Sequence, residues 1–234
     1  MTAGATVVIC ENPMVAPLAK RVKSQRLGLL GSLSLPNWLE TAAAVVLMDY
    51  TLFLWHYLNH RTPLLWRFHL PHHVDLDMDA STAFRFHFGE LALSTLWRAA
   101  QIRLIGTSLG ALSLWQQLTS LSILFHHANL RLPERLDAAL SLLIVTPRMH
   151  DVHHSRRHEE RNSNWSSGLS IWDRLHGTFR SPRALLSQGV GVPPFDQPNQ
   201  VTIGKVLTLP FTEARSGRDA AHMPASLKVA RCRS

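Results

Sequence analysis

The pentapeptide pattern His-x-x-His-His occurs twice, as HLPHH at His69–His73 and as HDVHH at His150–His154. The chain has 14 histidines among 234 residues, too few for chance to place the same pattern twice. The spacing itself restricts the fold. On a helix, residues at i, i+3 and i+4 share one side a turn apart, so each box can present its imidazoles to a common space. A further pair, His56 and His60 in HYLNH, has the i, i+4 spacing, and His127 in FHHAN closes an apolar stretch. One helix carrying His56 and His60 and another carrying His69, His72 and His73 are expected to point five nitrogens at one place. HDVHH then adds His150, His153 and His154, and His127 makes a ninth. Nine imidazoles exceed what one ion takes and suit two. Imidazole serves Zn, Cu, Fe or Ni, and spacing does not choose among them. No Glu-x-x-His pair of the soluble carboxylate-bridged bundles is present, and structural zinc sites are usually four-coordinate and rich in Cys. His87, His126, His158, His176 and His222 read as surface or hydrogen-bonded core residues.

The rest of the sequence places these boxes beside apolar helices. Mean hydropathy is zero, but the apolar residues are concentrated between about 26 and 146. Residues 38–58 have the length of a spanning helix, interrupted by Glu40 and Asp49, and an ionisable group there should face a polar interior. Residues 89–105 form a weaker candidate with Arg98 and Arg103. Residues 107–125 carry no charge over 19 positions and form the best spanning candidate. Residues 136–146 are too short to cross and are expected to dip into the membrane interface. Pro71 lacks a backbone donor, so the helix carrying the first box is expected to begin at Leu70 or Pro71. The net charge of +8 comes from clusters at Lys20–Arg26, Arg61–Arg67, Arg148–Arg161 and the C-terminal tail. Such clusters suit cytoplasmic loops and anionic headgroups rather than nucleic acid. Cys10 and Cys232 imply neither a disulfide framework nor a thiolate site. No secretory signal is recognisable in residues 1–25, and Pro and Gly become frequent after 181.

Taken in order, His56/His60, His69/His72/His73, His127 and His150/His153/His154 resemble the histidine boxes of the fatty acid hydroxylase/sterol desaturase superfamily of integral-membrane di-iron oxygenases. The segments HHVDLDMDASTAFRFHFGE, FHHANLRLP, TPRMHDVHHS and NWSSGLSIWDRLHGTF extend the likeness over roughly residues 20–180. FHHAN resembles the bacterial F-x-H-x-N segment, which favours His127 over His126. The resemblance implies an all-α, multi-pass membrane bundle with a cytosolic His-rich cap. It divides the chain into an N-terminal segment (1–25), a catalytic domain (26–180) and a C-terminal tail (181–234). Members usually carry one or two more spanning helices before the first box, so the chain reads as a truncated form or one without them. The nine box histidines would hold two irons with O2 as co-substrate, and a lipid C–H bond (fatty acyl, sterol or carotenoid-like) would be hydroxylated or desaturated. Asp49, Asp75, Glu90, Asn129 and Asp173 are candidates to accept a ligand's second N–H. Leu52, Phe53, Leu121 and Phe125 could line the lipid's path. With no Gly-rich dinucleotide fingerprint and no haem domain, a separate electron donor is implied, a cytochrome or ferredoxin with its reductase. Two other readings remain: a non-catalytic His-rich membrane protein that binds or moves zinc, and a soluble metal hydrolase built on the His150–Asp151 pair.

Overall fold

The computed structural model describes residues 12–181 and 189–212. The apolar patch Ala5–Cys10, Cys232 and His222 lie outside them. The described residues are helical, with two isolated bridges, Ile144 to Leu169 and Ser155 to Val190, and no strand. The helices are α1 (Asn12–Ser24), α2 (Gly28–Gly31), α3 (Asn37–Arg61), α4 (Pro63–His73), α5 (Phe88–Ile105), α6 (Leu109–His127), α7 (Glu134–Leu140), α8 (Pro147–His153), α9 (His158–Arg161), α10 (Ile171–Leu175) and α11 (Ile203–Thr208).

Three long helices, α3, α5 and α6, form the body. Ala44 and Met48 of α3, Ile102 and Ile105 of α5, and Ala111, Leu112 and Trp115 of α6 pack into one buried cluster. Val15, Ala19 and Val22 of α1 close it from outside. The bends between helices follow from local chemistry. Pro63 has no N–H to continue α3, and Thr62 before it is extended (φ −100°, ψ 119°). The chain therefore turns at once into α4, and His60 lands beside the first box. Gly106 ends α5 at φ +89°, and a Cβ on Gly28 would overlap the Gly106 backbone where the two segments cross. The Ala111 N–H donates to Ser108 Oγ at 3.2 Å to open α6.

Several expectations need correction. The uncharged stretch 107–125 does form a helix, α6. By length and hydropathy together, however, α3 alone among the described helices is apolar enough to cross a membrane. Gln116, Gln117 and the closing histidines hold α6 down. The first box does not open a helix at Leu70 or Pro71 but closes one begun at Pro63. Pro71 is tolerated because it falls in the last turn, where it removes one backbone donor two residues before the helix stops. Part of the expected tail is packed: Val192 and Leu209 bury against Trp66, Leu70 and Val74 of the α4 region. The Gly191 N–H donates to the His154 carbonyl at 3.0 Å, and His87 Nε2 donates to the Leu207 carbonyl at 3.1 Å.

Candidate metal centre

All nine box histidines gather at one end of the bundle. They come from the C-terminal ends of α3, α4, α6 and α8. They divide into two groups: His56, His60, His69, His73 and His153, and His72, His127, His150 and His154. Within each group one nitrogen per ring lies within 4.8 Å of all the others. The expected set of five on α3 and α4 is therefore not the one found. His72 leaves it for the second group and His153 replaces it. Adjacent helical residues point about 100° apart, so His72 and His73 cannot face the same point. The i and i+4 members of each box stay together, and the i+3 member reaches across. His69 and His73 stay in the first group and His72 crosses; His150 and His154 stay in the second and His153 crosses.

Hydrogen bonds on the far side of four rings fix which nitrogen faces inward. Nδ1 of His56 donates to the Trp165 carbonyl, that of His153 to Ser163 and that of His127 to Ile123, each at 2.8 Å. His69 Nδ1 donates to Glu90 Oε1, also at 2.8 Å. A carbonyl or carboxylate can only accept, so these four rings spend their Nδ1–H outward and turn Nε2 to the interior. The inward nitrogens of His56, His60 and His153 have no hydrogen-bond partner. In the second group Nε2 of His127 stands 3.2 Å from that of His72 and 3.1 Å from that of His150, which is 3.1 Å from that of His154. One lone pair on His127 cannot satisfy both neighbours by hydrogen bonds. Nitrogens about 2.1 Å from a shared ion would stand roughly 3.0–3.4 Å apart, which matches these contacts. Burial, reinforced by the neighbouring imidazoles, holds His72, His73, His150 and His154 well below the usual histidine range, and His153 likewise. The rings are thus neutral, the form in which imidazole binds a metal. Buried lone pairs that converge without donors fit a pair of cations.

The loop Asn162–Ser170 supplies two of the orienting carbonyls. Asp173, itself buried, holds it by accepting the Trp165 and Ser166 N–H groups at 2.9 Å and the Thr178 hydroxyl at 2.6 Å. Asn164 (φ +52°) ties the same loop to the Met149 and Arg180 carbonyls. Of the five polar candidates, Glu90 meets a box histidine directly. Asp49 accepts the Leu169 N–H and the Trp172 indole N–H at 3.0 and 2.7 Å. Asp75 accepts the Thr82 hydroxyl and pairs with Arg85 at 2.7 and 2.8 Å. Asp173 acts through the loop, and Asn129 is exposed. Asp151 belongs to neither group, and burial lifts its carboxyl to about 6. His126, read from sequence as background, is buried with its ring centre 4.1 Å from that of His150. The carbonyls of Ser163 and Trp165 left no mark in the sequence, because any residue carries one.

A cavity of about 390 Å3 opens from the histidines and runs between α3, α5 and α6. His56, His69, His72, His127 and His150 border one end of it, and Arg98 and Trp115 line it further along the helices. Leu52 lines it as expected. Phe53 instead packs beside His176, and Leu121 is 66% exposed on the outer surface of α6.

The fatty acid hydroxylase family profile matches residues 41–178, more than half of the chain. Among curated proteins, the ornithine lipid hydroxylase OlsE of Rhizobium tropici is 30% identical over 157 residues, covering 67% of this chain and 46% of that protein. Human alkylglycerol monooxygenase is 27% identical over 146 residues (62% and 32%), and human cholesterol 25-hydroxylase 27% over 145 residues (58% and 50%). The chain spans half or less of the length of these relatives. No solved structure gives a significant match.

Proposed function

The chain belongs to the fatty acid hydroxylase family, and from that premise we propose that it is a membrane-bound non-haem di-iron oxygenase that hydroxylates or desaturates a lipid C–H bond. The observation that carries this reading is the pair of inward-facing imidazole groups opening onto a largely apolar cavity. The relatives' names, a lipid hydroxylase, an alkylglycerol monooxygenase and a sterol hydroxylase, support the same class of reaction.

His56, His60, His69, His73 and His153 would hold one iron, and His72, His127, His150 and His154 the other. Bound there, iron would supply O2 activation and removal of hydrogen from an unactivated carbon. The protein's own part is positional. The Trp165, Ser163 and Ile123 carbonyls and the Glu90 carboxylate lock four rings so that Nε2 faces inward. Leu52, Trp55 and Phe86 keep water from the adjoining cavity and hold an alkyl chain against the histidines. For hydroxylation, R–H, O2, two electrons and two protons give R–OH and water. The electrons come from a separate reduced cytochrome or ferredoxin.

The same reading makes the chain a multi-pass membrane protein with its histidines on the cytoplasmic side. Leu96 and Leu104 on α5, and Leu114, Leu118 and Leu121 on α6, are exposed large apolar side chains that suit lipid contact. The histidine end of the bundle also carries Arg61, Arg67, Arg148, Arg156 and Arg157, as cytoplasmic ends do. Metal analysis of the detergent-purified full chain, with O2 uptake and lipid profiling, tests the proposal. It expects close to one iron per histidine group and O2-dependent oxidation of a lipid. His153→Ala should lose that oxidation while still inserting into membranes. Zinc loading with no O2 uptake under reducing conditions overturns it.

A further inference from the structure

The cavity that starts at the histidines is closed at its far end. Its exposed lining residues, Phe84 at 46% exposure and Ser120, mark the open side. Away from the histidines, the lining stops at Leu52 on α3, at Arg98 on α5 and at Trp115 on α6. Arg98 and Trp115 are 8% and 3% exposed. The Arg98 guanidinium carbon lies 3.9 Å from the centre of the Trp115 ring, and its Nη1 donates to Gln101 Oε1 at 2.6 Å. Gln101 Nε2 donates in turn to the Met48 carbonyl at 3.3 Å and to the Thr51 hydroxyl. These contacts tie α3, α5 and α6 into one wall. Behind it Met48, Ile102, Ala111 and Leu112 are at most 1% exposed and pack with Trp115. An interior packed in this way does not admit added methylenes without strain.

The stretch leading to this wall suits hydrocarbon. Leu52 and Leu91 line it. The hydroxyls of Ser94 and Ser120 are turned to their own helices, donating to the Leu91 and Gln116 carbonyls at 2.9 and 2.7 Å. We propose that Trp115, clamped by Arg98, is the floor against which the methyl end of the substrate's alkyl chain stops, so that it selects the carbon presented to the histidines. The inference rests on the oxygenase reading and adds a specificity-determining residue to it. Glu90, bonded to His69, lies eight residues before Arg98 on α5, which separates them by about 12 Å along the helix axis. An extended alkyl chain with bonds of about 1.52 Å advances roughly 1.25 Å per bond, so the carbon at the histidines lies roughly ten bonds from the methyl end.

The first test uses the full-length, metal-free protein in neutral detergent and reads tryptophan fluorescence. The probes are dodecanol, tetradecanol and hexadecanol, each carrying bromine on its terminal carbon, and bromine quenches an indole only at close range. The Trp115 contribution is the difference between the unaltered protein and Trp115→Phe. All three probes should remove most of that contribution, whatever their length. A Trp115 signal that terminal bromine leaves intact overturns the proposal, as does quenching that falls away steadily from one chain length to the next. The second test uses the iron-loaded protein with the same alcohols without bromine. The oxidised carbon should keep a constant count from the methyl end, and a constant count from the hydroxyl overturns the proposal. Trp115→Ala removes the floor, so the chain should sink further and the oxidised carbon should move roughly two or more carbons away from the methyl end. Should that variant fail to fold, Trp115→Leu opens less space and should move it by about one carbon. An unmoved position in a folded variant overturns the proposal. The two readings fail separately. Terminal quenching without oxidation removes the oxygenase and leaves the floor, whereas oxidation counted from the hydroxyl without terminal quenching does the reverse.

Discussion

Glu90 offers the sharpest perturbation of the metal centre. Its carboxylate is 4% exposed, accepts the Nδ1–H of His69 at 2.8 Å and receives a longer bond from Asn59 Nδ2 at 3.4 Å. A hydrogen bond to a buried ionised acceptor contributes about 1.5–3 kcal/mol. In Glu90→Ala, His69 would be free to turn and to exchange tautomers, so that stabilisation is lost from the bound state of its group. At about 1.4 kcal/mol per decade, metal affinity should fall by roughly 10–150-fold. Glu90→Gln keeps an acceptor oxygen and nearly the same volume but not the charge, so its loss should be smaller. The assay is competition with a chelator of graded strength, reading metal per chain in the purified protein. A biphasic release is expected, with the His69 group emptying early and the His72 group near its original affinity. Glu90→Ala that holds both metals as tightly as the unaltered chain would refute the argument that Glu90 orients His69.

Three further outcomes follow from the same geometry. Folded-state burial holds His72, His73, His150 and His154 below the unfolded value of 6.5, so on acidification the unfolded chain takes up protons that the folded one refuses. The thermal midpoint of the metal-stripped protein should therefore hold steady above about pH 6.5 and fall below it, and a midpoint that rises on acidification contradicts this. A Cβ on Gly168 would collide with Asp49 Oδ1, so Gly168→Ala should cost about 1–3 kcal/mol in unfolding experiments. Adding Asp49→Ala should cost less than the sum of the two single changes, and simple additivity would disprove the clash. Asn129→Ala should leave metal content unchanged because Asn129 is exposed, and depletion would restore it as a contributor to the centre.

How much of this could be read from the residues depends on whether the information is local. The long helices were legible because apolar runs of 17–21 residues are a one-dimensional property. The division of each box between two groups was also present in principle, since consecutive helical residues diverge by about 100° and His-His cannot serve one ion from a regular helix. The roles of the carboxylates were not legible. Asp49 is bonded to Leu169 and Trp172, 120 and 123 residues away, and nothing near Asp49 announces a loop anchor rather than an imidazole acceptor. The packing of Val192 and Leu209 was hidden for a similar reason, because an irregular segment has no period to betray which of its residues face inward.

The least legible feature explains why so exposed a chemistry can be built into a stable chain. Nine imidazoles brought together without metal would ordinarily exchange protons among themselves and pair off. Here the Ser163, Trp165 and Ile123 carbonyls and Glu90 each take one ring's proton outward before any ion arrives. Two of these orientations, those of His56 and His153, thus depend on backbone that Asp173 and Asn164 hold in place. Metal binding then needs little rearrangement of these rings. In the proposed centre its free energy would go into closing lone pairs that the fold has already aligned, which would couple retention of the ion to the integrity of a loop that supplies no ligand.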